Sequence, residues 1–180
     1  MNIYIIAGPP GIGKSTRGLR FIPKDIEIID HDLAAYQYKK DGFADYKELG
    51  IMIGNQQIRS NLFAKESFAL ELNLGFQSHY DYLNSMANFD PSNKIHLILF
   101  FTDSLNLCLT RADIRHKSGG HLVKPEIVTE MYNNTIPLLK ENISFFNSLS
   151  FINITNTIVR KVKINNPPNW VINNDLVKYL

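Results

Sequence analysis

The feature that most constrains the fold of this 180-residue chain is a glycine-rich segment near its amino end, GPPGIGKST, at residues 8 to 16. It matches the pattern G-x-x-x-x-G-K-[ST], in which glycines, a lysine and a hydroxyl residue stand at fixed spacing. The run Ile3 to Ala7 before it is typical of a buried strand, and the residues from Lys14 onward are typical of a helix. Because the pattern lies between a strand and a helix, it predicts a phosphate-binding loop in an α/β protein.

Each residue type in this segment has a physical role in holding phosphate. Glycines let backbone N–H groups curl around phosphate oxygens, and the helix that follows presents unpaired N–H groups and a partial positive charge. We expect Lys14 to reach the β- and γ-phosphates, the Ser15 hydroxyl to ligate Mg²⁺, and the Thr16 hydroxyl to lie near the α-phosphate. A glycine-rich turn without a ligand is the alternative, which the flanking strand and helix disfavour. The candidate nucleotide-binding residues are Gly8, Gly11, Gly13, Lys14, Ser15 and Thr16.

Composition limits the remaining possibilities. With 180 residues, 44% of them hydrophobic, the chain has enough apolar side chains for one core, so we predict a single domain over residues 1–180. The formal net charge is +2 and the basic residues are scattered, which argues against a nucleic-acid partner. Apolar runs such as Ile98 to Phe101 are far shorter than the roughly 20 residues of a membrane helix, so no membrane partner is expected. The single cysteine, Cys108, is interpreted as a small hydrophobic side chain packed in the core. Because one cysteine cannot form a disulfide within the chain, we expect a cytoplasmic protein.

Short apolar runs alternate with longer amphipathic stretches along the chain, which predicts strand-helix-strand units and a mainly parallel central sheet. Together with the phosphate-loop motif, this pattern predicts a three-layer P-loop NTPase fold. Strands are predicted at residues 2–7, 26–30, 67–72, 94–101 and 150–155, with a less regular one at 157–164. Helices are predicted at residues 14–21, 46–65, 77–88, 103–116 and 125–148, the last of them bent at Pro137. The pattern leaves residues 150–180 loosely defined, and Trp170 within them is interpreted as structural.

Carboxylates follow two of the predicted strands, where ligands bind in open parallel sheets. Asp30 and Asp32 flank His31 and would point to one side if the chain stayed extended there. A carboxylate in that place can accept the proton of an attacking hydroxyl, although Asp32 can equally be the cap of a following helix. Glu71, near the end of the third strand, either faces solvent from an edge strand or points into the site to bind substrate hydroxyls or a metal-bound water.

A basic segment, RADIRHKSGGH, begins at residue 111. Arg111 and Arg115 are four residues apart, on one helical face, directly before a flexible diglycine. Two guanidinium groups on a lid can exclude water from a γ-phosphate and spread its developing charge. A solvated helix face is the alternative interpretation.

Together these motifs resemble the zeta-toxin family of P-loop kinases over residues 2 to about 140. The resemblance depends on four segments: the phosphate loop, DHD after the second strand, SFALELNL at the third strand, and R-x-x-x-R-x-x-x-GGHxV from Arg111 to Val123. The last segment is the most specific, because a diglycine-histidine behind spaced arginines is uncommon in other P-loop groups.

The resemblance implies a kinase that transfers the γ-phosphoryl group of ATP to a hydroxyl of a small molecule, a UDP-N-acetyl amino sugar, with ATP and Mg²⁺ as cofactors and an antitoxin protein as a partner. It also implies a catalytic base at Asp32, a substrate-site carboxylate at Glu71, and two arginines in a helical lid at residues 111–124 that grip the ATP phosphates. The candidate catalytic residues are then Lys14, Asp32, Arg111 and Arg115. The candidate substrate-binding residues are Asp32, Glu71, Asn73 and His121.

The chain departs from the family pattern at three places. Leu72 stands where the family has Thr or Ser, so Asn73 would have to supply the substrate contact, and Lys124 and Met131 replace a proline and an arginine. These departures leave the acceptor open. The alternatives are a kinase for a nucleoside or another small metabolite, and a nucleotide-binding regulatory or toxin–antitoxin module that phosphorylates no acceptor.

Overall fold

The computed structural model describes residues 1–156 and 158–180, and within them the strands form one mainly parallel sheet. The strands are β1 (Asn2–Ala7), β2 (Ile28–Ile29), β3 (Phe68–Leu72), β4 (Lys94–Phe101), β5 (Ser148–Ile154) and β6 (Val159–Lys161). Their order across the sheet is β2-β3-β1-β4-β5-β6, and β6 pairs antiparallel with β5 while the other neighbours pair in parallel. The predicted α/β fold with a mainly parallel sheet is confirmed.

Helices cover both faces of this sheet. They are α1 (Lys14–Arg17), which continues as a 3₁₀ turn to Phe21, α2 (His31–Lys40), α3 (Tyr46–Ala64), α4 (Gln77–Ala87), α5 (Leu105–Lys117), α6 (Pro125–Asn142) and α7 (Asn169–Ile172). Local sequence sets several of the starts: the Ser104 hydroxyl caps α5 by accepting from the Leu107 N–H at 3.2 Å, and Pro125 occupies the first turn of α6.

The central strands are buried on both faces because alternate residues enter two hydrophobic cores. Ile5 and Leu97 point into one core, and Ile6 and Ile98 point into the other. This two-sided burial fixes the register of β1 and therefore the place where the glycine-rich loop leaves the sheet.

Some elements differ in extent from the sequence prediction. The second strand has two residues, 28–29, instead of five, because the chain turns into α2 directly at His31. Asp30 and Asp32 therefore do not lie on an extended segment, and their side chains are placed by a helix start instead. The helix predicted to reach residue 148 ends at Asn142, and β5 begins earlier than predicted, at Ser148.

The C-terminal segment belongs to one of the two cores. Trp170 is 3% exposed, packs edge-on against Phe101 and Phe151, and donates its indole N–H to the Asn153 side-chain oxygen at 2.9 Å. The structural interpretation of Trp170 therefore agrees with its position. Thr157, the first residue of the strand predicted at 157–164, lies outside the described residues.

None of the helices in the described part of the chain combines the length and the apolar character that crossing a membrane requires.

Candidate functional site

A cleft of about 430 Å³ lies where the chain leaves the carboxyl ends of β1, β2 and β3. Ten of the residues predicted from the sequence line it: Gly11, Gly13, Lys14, Ser15, Thr16, Asp32, Glu71, Asn73, Arg111 and Arg115. Gly8 lies at the base of the loop, where its carbonyl accepts a hydrogen bond from Lys14, and His121 lines a neighbouring cavity. The fold thus brings together residues that are up to about a hundred positions apart in the sequence.

Two glycines seat the loop against the rest of the protein. Gly8 has φ +139° and Gly11 has φ +77°, conformations that residues with a side chain rarely adopt. A Cβ at Gly8 would overlap the Phe100 carbonyl at the end of β4, and one at Gly11 would overlap the Cys108 carbonyl in α5. Cys108 itself is fully buried, and burial raises the pKa of its thiol to about 11, so it acts as a packed hydrophobe beneath the loop.

Lys14 is 6% exposed, and its ammonium group lies under the loop. Its Nζ donates to the Gly8 carbonyl at 2.7 Å, to the Pro9 carbonyl at 3.3 Å and to the Asn73 Oδ1 at 2.8 Å. These three acceptors match the three hydrogens of an ammonium group. Burial lowers the pKa of Lys14, while the nearby Glu71 carboxylate opposes that effect. The three hydrogen bonds hold the Lys14 amino group at the point where a phosphate chain would enter the loop.

Glu71 lies on β3, an interior strand between β2 and β1, so the edge-strand alternative does not apply. Its Oε1 accepts a hydrogen bond from the Ser15 hydroxyl at 2.9 Å. Burial raises the pKa of Glu71, and the neighbouring Asp30 and Asp32 raise it further against the lowering effect of Lys14. A half-buried carboxylate thus touches the hydroxyl that the motif assigns to the metal.

This raised pKa leads to a stability prediction. The folded state holds the Glu71 proton more tightly than the unfolded state, so the contribution of this group to stability is fully present below its ordinary pKa of 4.5. That contribution is lost as the pH rises through the raised value. We expect Glu71→Gln, whose amide oxygen can still accept from Ser15, to raise the free energy of unfolding at about pH 7 and to leave it unchanged at about pH 3.

Urea unfolding at both pH values measures this effect, with Glu66→Gln on the exposed turn before β3 as the matched control. A Glu71→Gln protein that is less stable than wild type at neutral pH would contradict the assignment of burial as the dominant cause.

The residue that caps α2 is Asp30 and not Asp32. The Asp30 side chain caps α2 by accepting from the backbone N–H groups of Asp32 at 3.0 Å and Leu33 at 3.1 Å. Asp32 lies in the first turn of the helix with an exposed side chain that lines the cleft. The sequence analysis left open whether Asp32 caps this helix. Asp30 has that role, and the Asp32 carboxylate faces the site.

A second cavity of about 730 Å³ adjoins the cleft between α2, the start of α3 and the segment after α5. Ser15, Asp32 and Arg115 line both spaces, so the two cavities adjoin at these residues. The walls of the second cavity also carry two tyrosines and two lysines that the sequence analysis missed: Tyr36, Lys39, Tyr46 and Lys47. No motif marks these residues, and the only available signal was the recurrence of Tyr and Lys at the ends of two neighbouring helices.

The two arginines predicted as a pair have different surroundings. Arg111 is half-buried and donates to the carbonyls of Ile12 at 3.5 Å and Thr155 at 3.3 Å, so it ties α5 to the loop and to the turn after β5. Arg115, one helical turn later, is exposed and lines both cavities. Arg115 is therefore the arginine placed at the junction of the two spaces.

Packing explains one of the three residues at which the chain departs from the family pattern, Met131. Met131 is buried, and a Cβ at Gly75 would lie 2.6 Å from the Met131 Cα, so this helix position faces the core. Lys124 is exposed at the start of α6.

The donor set of the cleft fits Mg²⁺ when phosphate oxygens complete it. Among residues 1–156 and 158–180, no three His, Cys, Asp or Glu side chains form a group that could hold a metal ion alone. Mg²⁺ prefers hard oxygen ligands and is commonly bound by one or two protein groups together with substrate phosphates. The Ser15 hydroxyl and the Glu71 carboxylate are oxygen donors of this kind in the cleft.

Comparison with known proteins gives matches at the level of structure. No family model and no curated protein matches the chain. The AvrRxo1-ORF1:AvrRxo1-ORF2 complex with sulphate ions matches with a TM-score of 0.66 and 13% identity over 89% of this chain and 56% of that chain, and the same complex with ATP gives a TM-score of 0.64. This chain therefore spans little more than half of the length of its AvrRxo1 match. The PezAT chromosomal toxin–antitoxin system of Streptococcus pneumoniae matches with a TM-score of 0.60 and 16% identity, over 85% of this chain and 66% of that chain.

The chain has a P-loop kinase-like fold. The resemblance to the zeta-toxin kinases that the motifs indicated is thereby confirmed for the fold, since the match extends over 85 to 89% of the chain. At identities of 13 to 16% the fold is what these proteins share.

Proposed function

We propose that this protein is an ATP-dependent phosphotransferase that moves the γ-phosphoryl group of ATP to a hydroxyl of a small molecule. The observation that carries the proposal is the junction of the phosphate cleft and the second cavity at Ser15, Asp32 and Arg115. A donor on one side and an acceptor on the other would meet at a carboxylate, a hydroxyl and a guanidinium group. Phosphoryl transfer needs this combination of positioning and charge.

On the donor side, the loop N–H groups and the Lys14 ammonium would hold the β- and γ-phosphates. At the end of the cleft near β5, away from Asp32, the lining residues are Arg111, Thr155, Asn156 and Val159. This end has the position expected for the nucleoside, because a triphosphate that runs from Lys14 away from Asp32 leads to it. Mg²⁺, held by Ser15 with the phosphates, would neutralise part of the phosphate charge.

In the transfer step, the oxygen of the acceptor hydroxyl forms a bond to the γ-phosphorus as the bond to the β,γ-bridging oxygen breaks, and ADP leaves. The acceptor proton passes to the Asp32 carboxylate. Lys14 and Arg115 would spread the negative charge that develops on the transferred group and on ADP. Glu71, hydrogen-bonded to Ser15, would orient that hydroxyl and contact the acceptor.

The second cavity supports an acceptor that has both a ring and an anionic group. Tyr36 and Tyr46 provide aromatic surface on its walls. The ammonium groups of Lys39 and Lys47 lie over the Tyr46 ring, 5.7 and 5.9 Å from its centroid, and add positive charge beside it. A UDP-N-acetyl amino sugar combines these features, and its sugar hydroxyls are candidate acceptors. His121 and Leu122 close the cavity on the side of the segment after α5.

The test is acceptor-dependent release of ADP from ATP and Mg²⁺, with mass spectrometry of the product. The acceptor panel contains a UDP-N-acetyl amino sugar, the free amino sugar, a nucleoside and no acceptor. We expect the nucleotide-linked sugar to be phosphorylated, and Lys39→Ala and Lys47→Ala to raise its KM by about tenfold, or about 1.4 kcal/mol each. Lys24→Ala, exposed in the turn before β2, is the matched control. ATP binding with slow ADP release that no acceptor accelerates would favour a nucleotide-binding regulatory module instead.

A protein partner is part of the proposal by analogy. PezAT is described as a toxin–antitoxin system, and the AvrRxo1 match is a complex of two proteins. An enzyme of this kind that uses ATP, with a single buried thiol, fits the cytoplasm. Co-purification with the product of a neighbouring gene tests the partner independently of the reaction.

A further inference from the structure

Two glycines on α3 form the contact surface for α2, the helix that carries Asp32. The buried residues of α3 recur every four positions, at Gly50, Gly54, Ile58 and Leu62. The last two enter a hydrophobic core, whereas the two glycines face α2. A Cβ at Gly50 would lie 2.6 Å from the Ala35 backbone nitrogen and 2.7 Å from the Ala35 Cβ, and a Cβ at Gly54 would overlap the His31 ring.

These contacts define the packing of an antiparallel helix pair. Gly50 meets Ala35, and Gly54, one turn later on α3, meets His31, one turn earlier on α2. Both glycines lie in the interior of a 19-residue helix, where each costs about 1 kcal/mol relative to alanine. Neither has a positive φ that would require glycine. Their effect in the structure is the close approach of the two helices, which places the His31 ring directly against the α3 backbone.

α2 has few other means of holding its position. No residue of α2 is buried, and the strand before it, β2, has two residues and pairs with β3 at one edge of the sheet. The position of α2 therefore depends mainly on its contact with α3. Asp32 follows His31 directly, so a displacement of the His31 ring would move the carboxylate at the junction of the two cavities.

We propose that Gly50, Gly54 and His31 are positioning residues, which set the distance between Asp32 and the phosphate loop and the width of the second cavity. This inference rests on the proposed phosphotransfer. His31 lines the second cavity, and the role proposed for it is packing of its ring against α3. The three residues together are called the glycine seat below.

The test is Gly54→Ala, alone and combined with His31→Ala. The added methyl group forces the His31 ring away, so we expect kcat to fall by about tenfold to a hundredfold, the scale of an ångström-sized misplacement, while ATP still binds by calorimetry. His31→Ala removes the clashing ring, so the double variant is expected to be faster than Gly54→Ala alone. Gln57→Ala, on the exposed side of α3, is the matched control.

Hydrogen exchange provides a readout that needs no activity. Gly54→Ala is expected to speed amide exchange in α2 relative to α3, and the double variant is expected to restore slower exchange. If Gly54→Ala is too unstable to assay, a double variant with a higher melting temperature than the single one reports the same coupling. Alanine is the better helix former, so a loss of stability cannot come from helix propensity.

Unchanged kcat and unchanged α2 exchange in Gly54→Ala would overturn the glycine seat, as would a double variant that is no better than the single one in every readout. The failure of the proposed function looks different. In that case the wild-type protein phosphorylates no acceptor, while the exchange measurements still decide whether the seat holds α2.

Discussion

Replacing Lys14 with alanine is expected to abolish ATP turnover, with kcat/KM falling by about a thousandfold, or about 4 kcal/mol. Lys14 is the one buried charged side chain among the described residues, and its ammonium lies within the curve of the phosphate loop. Without it, the loop carbonyls of Gly8 and Pro9 and the Asn73 oxygen would face the incoming phosphates with no cation between them. Calorimetry with ATP and Mg²⁺, together with ADP release, measures the loss.

The same substitution also removes buried hydrogen bonds, so a second variant separates binding from folding. Lys14→Met keeps the buried apolar stem and removes the charge, and it should lose ATP binding while remaining folded. The matched control is Lys94→Ala. Lys94 is exposed at the amino end of β4, whereas the phosphate loop lies at the carboxyl ends of the strands. Undiminished ATP binding by Lys14→Met would contradict the role of the lysine. A wild-type protein that gives no heat with ATP, GTP or their diphosphates would remove the kinase proposal as a whole.

The elements that were predicted best are those that a short, local sequence pattern identifies. The bounds of β1 and β4 agree with the prediction, because both strands are mostly apolar and are largely buried in the sheet. The phosphate loop was equally predictable, since its glycines and lysine stand at a spacing that few other structures require. Most of the predicted site residues line one cleft for this reason: they follow strands whose ends meet at one edge of the sheet.

The parts that were not predicted depend on tertiary contacts. α2, which the sequence offered only as one of two alternatives, has no buried residue and therefore lacks the apolar periodicity that identifies a helix in a sequence. Its start is set by the Asp30 cap, and its position by the glycines of α3. The second cavity combines side chains from α2, α3 and the segment after α5, which become neighbours only in the folded chain. The C-terminal segment was undefined because its order comes from the fit of Trp170 against β4 and β5, not from a repeating pattern.

Replacing Asp32 with asparagine is expected to leave ATP binding intact and to lower kcat for phosphotransfer by a factor between about a hundred and ten thousand. Asparagine has nearly the same size and can occupy the same place in the first turn of α2, whose cap is supplied by Asp30. It cannot accept the acceptor proton as a carboxylate does. Because the phosphate contacts come from the loop and Lys14, the Kd for ATP should stay within about twofold of the wild-type value, whereas phosphorylated product should be nearly absent.

This separation of binding from transfer is what distinguishes a base from a residue that merely shapes the cleft. A shaping residue would change the KM for the acceptor along with kcat, whereas a base that acts only in the transition state lowers kcat and kcat/KM equally. Asp41→Asn, which makes the same change at the far end of α2, is the matched control and should behave as wild type. An Asp32→Asn protein with full kinase activity would exclude Asp32 as the base. Glu71, the other carboxylate of the cleft, would then be the group to test by the same substitution.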